Sequence, residues 1–115
     1  YLAQSSIIES LAKRGPCIIV GRCADFVLRQ NPDCLNIFIC ADMKDRIERI
    51  MDRYHLTEKE AATAIKRTDR RRKNYYETYT DQNWGSPDSH QLLINVSKLG
   101  LKRSLDLIEY LYKQP

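Results

Sequence analysis

The sequence predicts an α/β fold, a single domain over residues 1–115 in which a parallel sheet is flanked by helices. Three observations carry that expectation. Apolar runs of strand length occur at 17–20, 35–40 and 92–94, amphipathic stretches at helical spacing separate them, and the order is helix, strand, helix, strand, helix, helix, strand, helix. Strands that alternate with helices join in parallel through right-handed crossovers, and such units bind ligands beyond the carboxyl ends of their strands.

Leu2, Ile7, Ile8, Leu11 and Ala12 recur at helical spacing. Lys13-Arg14-Gly15-Pro16 then supplies late cations, a glycine and a breaker, so the first helix ends near Lys13. Cys17-Ile18-Ile19-Val20 shows no alternation, which predicts a strand buried on both faces and closed by Gly21. Residues 24–30 read as a short helix that Asn31-Pro32 stops, because the residue before proline is pushed out of the helical region. The second strand is 35–40, followed by Asp42 as N-cap of a helix over 43–54 with an apolar face of Met43, Ile47, Ile50 and Met51. Thr57-Glu58-Lys59-Glu60 is a capping box in front of Ala61, Ala62 and Ile65, opening a longer helix. Residues 84–88 are loop, 92–94 the third strand, and Leu101, Leu105, Ile108 and Leu111 the buried stripe of a final helix. Three strands make a thin sheet. An open apolar edge on it would need a partner to cover it or would leave the chain marginally stable, and a homodimer stays open.

At 115 residues with 43% hydrophobic content, the chain can bury a real core. No apolar run approaches the roughly 20 residues that span a bilayer, and Tyr1-Leu2-Ala3-Gln4 lacks the pattern of a secretory signal, so no membrane partner and a cytoplasmic location are expected. Cys17, Cys23, Cys34 and Cys40 form no C-x-x-C pair, and His55 and His90 lie far from them, so no zinc site is expected. Cys17 and Cys40 read as small apolar residues on buried strands. A helical pattern under way by Ala3, without an initiating methionine, gives the expectation that this is the carboxyl-terminal portion of a longer protein.

The densest chemical signal is Lys66-Arg67-Thr68-Asp69-Arg70-Arg71-Arg72-Lys73, whose six cations and one carboxylate exceed the formal +4 of the whole chain. Everything outside it is close to neutral, so a polyanionic ligand is implied. On a helix, Arg67, Arg70, Arg71 and Asn74 project to one side and Asp69, Arg72, Lys73 and Tyr76 more nearly to another. Like charges this close are unfavourable without a ligand, and arginine forks match phosphate oxygens, so the segment reads as a mobile lid over nucleotide phosphates. A basic helix on nucleic acid, with Tyr75, Tyr76 and Tyr79 for stacking, ranks below it because a nucleic-acid surface usually spreads its cations beyond one helix. Arg22 stands at a strand end, where it either holds a phosphate or pairs with Asp25 or Asp42, and both readings stay open. Trp84 is expected to hold its loop against the body. His55 suits a helix end, His90 falls in a loop or at a strand start, and neither has a catalytic partner in the sequence.

Gly21-Arg22-Cys23-Ala24-Asp25, Asn36-Ile37-Phe38-Ile39, Thr68-Asp69-x-x-Arg72-x-x-Tyr75-Tyr76, Tyr79-Thr80, Trp84-Gly85 and Ser97-Lys98-Leu99-Gly100 together resemble the cytidylate kinase-like family, over essentially the whole chain. The resemblance implies a partial phosphate-binding-loop nucleoside monophosphate kinase fold with a helical lid at about 57–90. The implied activity moves the γ-phosphoryl of magnesium-bound ATP to CMP or dCMP. It implies nucleotide partners, Arg22 and Asp25 at the acceptor, Arg67, Asp69, Arg70 and Arg72 over the transferring phosphoryl, and Lys98, Leu99 and Gly100 near the donor base. Two departures stand out: Cys23 replaces an aspartate that contacts the acceptor nucleoside, and no G-x-x-x-x-G-K-[ST] run occurs in the 115 residues. The chain is therefore expected to be inactive alone, the loop lying upstream. A non-catalytic nucleotide-sensing or protein-interaction module is the alternative from another class.

Overall fold

The computed structural model describes residues 2–21 and 23–114. In chain order the elements are α1 Leu2–Arg14, α2 Ala24–Val27, β1 Ile37–Cys40, α3 Met43–Tyr54, α4 Glu58–Thr80, β2 Leu92–Asn95, α5 Val96–Leu99 and α6 Leu101–Lys113. The mixed architecture agrees with the sequence, and so does the parallel pairing. β1 and β2 lie side by side, with Ile37 opposite Leu92 and Cys40 opposite Asn95.

Long helices form where the local signals agree. The capping box is complete: Thr57 Oγ1 accepts from the Glu60 amide at 3.2 Å, and Glu60 Oε1 accepts from the Thr57 amide at 2.9 Å. Those bonds also hold the Glu60 carboxyl below its usual range. From there α4 runs unbroken for 23 residues until Asp81 turns left-handed at φ 56°. Ala61, Ile65, Tyr76 and Thr80 are its buried residues, and the stripe they mark shows which side of the helix meets the body. Ile94 of β2 is buried as deeply, 1% exposed.

Several expectations change. No strand forms at 17–20, where Ile18 and Val20 are 69% and 87% exposed, and Cys17 and Cys40 are exposed too. A strand exists through its ladder, and an apolar run records only a tendency to be buried; among the described residues β1 and β2 pair solely with each other. The described sheet thus has two strands. The helix expected to reach Gln30 is regular only to Val27 and continues as hydrogen-bonded turns, and the second strand starts at Ile37. Asp42 precedes α3 but makes no side-chain cap. Its Oδ1 accepts instead from Asn95 Nδ2, and its amide donates to Ser97 Oγ.

Past β2, Val96–Leu99 form a helical turn, α5, at whose start Asn95 Oδ1 accepts from the Ser97 amide at 2.9 Å. On α6 the expected buried stripe is open, with Leu101 70% and Leu105 56% exposed, because α6 packs chiefly on α5. Ser104 is buried in its place, its hydroxyl donating to the Gly100 carbonyl. The radius of gyration, 15.7 Å, exceeds the roughly 13 Å of a compact chain this long, as open apolar faces require.

Candidate active site

Residues from four elements and one loop form a continuous polar and aromatic path. It begins at Asp69 on the body-facing side of α4. Asp69 Oδ1 accepts from Arg46 Nη2 of α3 at 2.7 Å and from Arg72 Nη2 at 2.6 Å. The Arg46 hydrogen bond is the main cause that holds the Asp69 carboxyl below its usual range, with burial opposing. The same bond raises the Arg46 guanidinium. Two cations on one carboxylate leave the trio with a net positive charge.

Arg72 also stands over the Trp84 ring, 5.3 Å from its centroid. Trp84 meets Phe38 of β1 edge-on at 5.1 Å, and Phe38 meets His90 at 5.2 Å. Trp84 therefore does hold its loop to the body. Gly85 makes that contact feasible: at φ +73°, a Cβ there would lie 3.0 Å from the Phe38 ring.

The path ends in a buried polar cluster. Tyr76, 5% exposed, donates its phenol hydrogen to Asp25 Oδ2 on α2, and burial followed by that bond pushes the phenol up to about 12. His90 is 8% exposed, with Nε2 4.0 Å from the same Asp25 oxygen. Its Nδ1 lies 3.1 Å from Ser89 Oγ and 3.3 Å from the Ser86 carbonyl, contacts that suit a hydrogen on Nδ1.

The structure brings Asp69 and Arg72 together, and it leaves Arg67 and Arg70 exposed on the other side of the helix. It engages Asp25 through Tyr76, while Arg22 lies outside the described residues, so its approach to the arginine helix is not described. Cys23 beside it is 5% exposed, left-handed at φ 58°, and its thiol is pushed up by burial, a neutral group where the resemblance would have a carboxylate. Lys98, Leu99 and Gly100 lie exposed past the carboxyl end of β2, beside the Asp42–Asn95–Ser97 hydrogen bonds that join the two strand ends.

Two participants were not foreseen. Arg46 sits in a mixed-charge helix where nothing marks it, and His90 acquires partners only through folding. The sequence did offer the i, i+3 pair of Asp69 and Arg72.

The model of the cytidylate kinase-like family matches residues 1–98. The chain belongs to this cytidylate kinase-like family. The solved structure of an uncharacterized protein from Eubacterium ventriosum superposes with a TM-score of 0.89 at 28% identity, over 98% of this chain and 65% of that one. The chain thus spans about two thirds of that protein's length. No curated protein matches this member of the family. Among the described residues no helix is long and apolar enough to cross a membrane.

Proposed function

We propose that this chain is the acceptor and lid part of a nucleoside monophosphate kinase that passes the γ-phosphoryl of ATP to CMP or dCMP. The observation that carries the reading is Asp69 holding Arg46 and Arg72 side by side, in a chain of this family. Phosphoryl transfer needs positioning and charge neutralisation more than covalent chemistry, and preset guanidiniums supply both. Arg72 and Arg46 would face the transferring phosphoryl, with Asp69 as their shared anchor. Arg67 and Arg70, on the outer side of the same turns, would add to the positive potential. Arg22 would hold the acceptor phosphate, and Asp25, tied to Tyr76, would fix the turn that carries it. Lys98, Leu99 and Gly100 would border the donor base.

Magnesium would neutralise charge on the donor phosphates when bound. The described residues do not fit it: none form a group of three or more His, Cys, Asp or Glu suited to a metal, and Asp69 is already neutralised by two cations. On this reading the phosphate-binding loop, absent from the 115 residues, would come from another segment and would make the fold one of the phosphate-binding-loop type. That absence favours a second reading, a nucleotide-sensing or protein-interaction module without catalysis.

The test is a coupled assay with ATP and each nucleoside monophosphate, on the chain joined to a segment bearing the loop. CMP and dCMP should turn over, and Arg72→Ala should lower kcat about 100-fold or more. No turnover of any monophosphate, despite an intact loop, would sink the kinase reading and leave the sensing one.

A further inference from the structure

Arg72 is the most exposed member of its trio, its side chain 55% exposed against 27% for Arg46 and 26% for Asp69. It leaves α4 on the same side as buried Ile65 and Tyr76, so its stem starts at the body while its head reaches solvent. A long side chain in that position keeps its rotamer freedom unless the head is held. Asp69 holds it at one nitrogen, through an oxygen that Arg46 shares. One such bond fixes a point and leaves the plane of the guanidinium free to turn. Phosphate recognition needs the plane, because a guanidinium forks onto two oxygens within it.

Trp84 offers the second hold. The guanidinium carbon of Arg72 stands 5.3 Å from the centroid of its ring, inside the roughly 6 Å range of cation–π attraction. A carboxylate competes with phosphate for the N–H edge of a guanidinium, whereas an aromatic face engages the π-surface and leaves that edge free. The ring is itself anchored. Phe38 of β1 meets it edge-on at 5.1 Å, and Gly85 gives that contact room. The Trp84 amide donates to Glu77 Oε2 of α4 at 3.4 Å, and Ser89 Oγ donates to the neighbouring Asn83 carbonyl at 2.9 Å, which closes the loop on itself. Order in the sheet is thus passed through Phe38 and Trp84 to the head of Arg72.

We propose that Trp84 is a positioning residue for the phosphate-facing arginine: its ring sets the plane of the Arg72 guanidinium, so that the edge Asp69 leaves free is aimed at phosphate oxygens. The proposal rests on the kinase reading for the reaction it serves and names a residue that acts there through another. Two simpler roles differ from it in what they predict. A tryptophan that merely held its loop would contribute stability without touching the rate, and one that stacked on the acceptor base would act on the affinity for CMP.

The test has two arms. In the coupled assay on the loop-bearing protein, Trp84→Leu should lower kcat about tenfold with the KM for CMP within about twofold, and Trp84→Phe, which keeps a π-face, should recover most of the loss. In an Arg72→Ala background Trp84→Leu should have no further effect, because the ring acts through that guanidinium. Additive losses, a raised KM at unchanged kcat, or lowered thermal stability with wild-type kcat would each overturn the proposal. The second arm needs no turnover and uses the 115-residue chain with sodium tripolyphosphate. Trp84→Leu should weaken its binding about threefold in isothermal titration, and Trp84→Phe should retain it. Trp84 is the only tryptophan of the chain, so its emission reports the contact directly, and Arg72→Ala should shift the maximum. An unmoved maximum would overturn the proposal even if Trp84→Leu does not fold, which circular dichroism checks. Absence of turnover in the wild type would be a failure of the kinase reading, whereas wild-type turnover that Trp84→Leu leaves intact would be a failure of this proposal alone.

Discussion

Asp69 accepts from two guanidiniums through one oxygen, and so ties α3 to the arginine turn of α4. A double-mutant cycle of Arg46→Ala with Asp69→Asn, read by urea unfolding, should return a coupling of about 1–2 kcal/mol. Because the native carboxyl is depressed, the stability it contributes is fully present above the ordinary carboxylate range and is lost as pH falls through the lowered native value. Asp69→Asn should abolish that acid dependence, and an acid limb identical to wild type would show that Asp69 is not its source. Tyr76 works in the opposite direction. Its raised phenol contributes stability below pH 10.0 that is lost as pH rises toward about 12.

At the level of elements, α4 is a rod fastened at several points along its length. The capping box fixes its start, Asp69 ties its middle to α3, and Tyr76 ties its last turns to α2. A segment fastened in this way presents its arginines in a preset order, and the cost of ordering them is already met by packing on the inner side. Thr57→Ala removes one half of the box and should cost about 1 kcal/mol with a loss of helix signal at the start of α4. Full wild-type stability in that variant would mean that tertiary contacts alone set the helix start. The charge signature and the box were legible locally, and so was a longer helix behind the box, though not where it ends. The division of the cations into an inner pair and an outer face was legible as periodicity, and its orientation was not.

For the whole molecule, the exposed apolar side chains govern solution behaviour. Ile18, Val20, Leu101 and Leu105 are each more than half exposed, and β1 and β2 offer each other the only pairing among the described residues. Such faces promote association. Leu101→Gln with Leu105→Gln should lower concentration-dependent association in sedimentation velocity while leaving helix content unchanged. Equal association in the variant would place the sticky surface elsewhere.

The sequence by itself determined the long helices, the parallel alternation, the cation cluster and the family resemblance, since each is written in local spacing or in residue identity. Only the tertiary structure decided which apolar runs are covered: 17–20 and the α6 stripe look like core by pattern, yet burial depends on a neighbour that no local pattern encodes. It also decided which charges meet. Arg46 and Asp69 are 23 residues apart, and Asp25 and Tyr76 are 51 apart, so their pairing arises only when the elements pack.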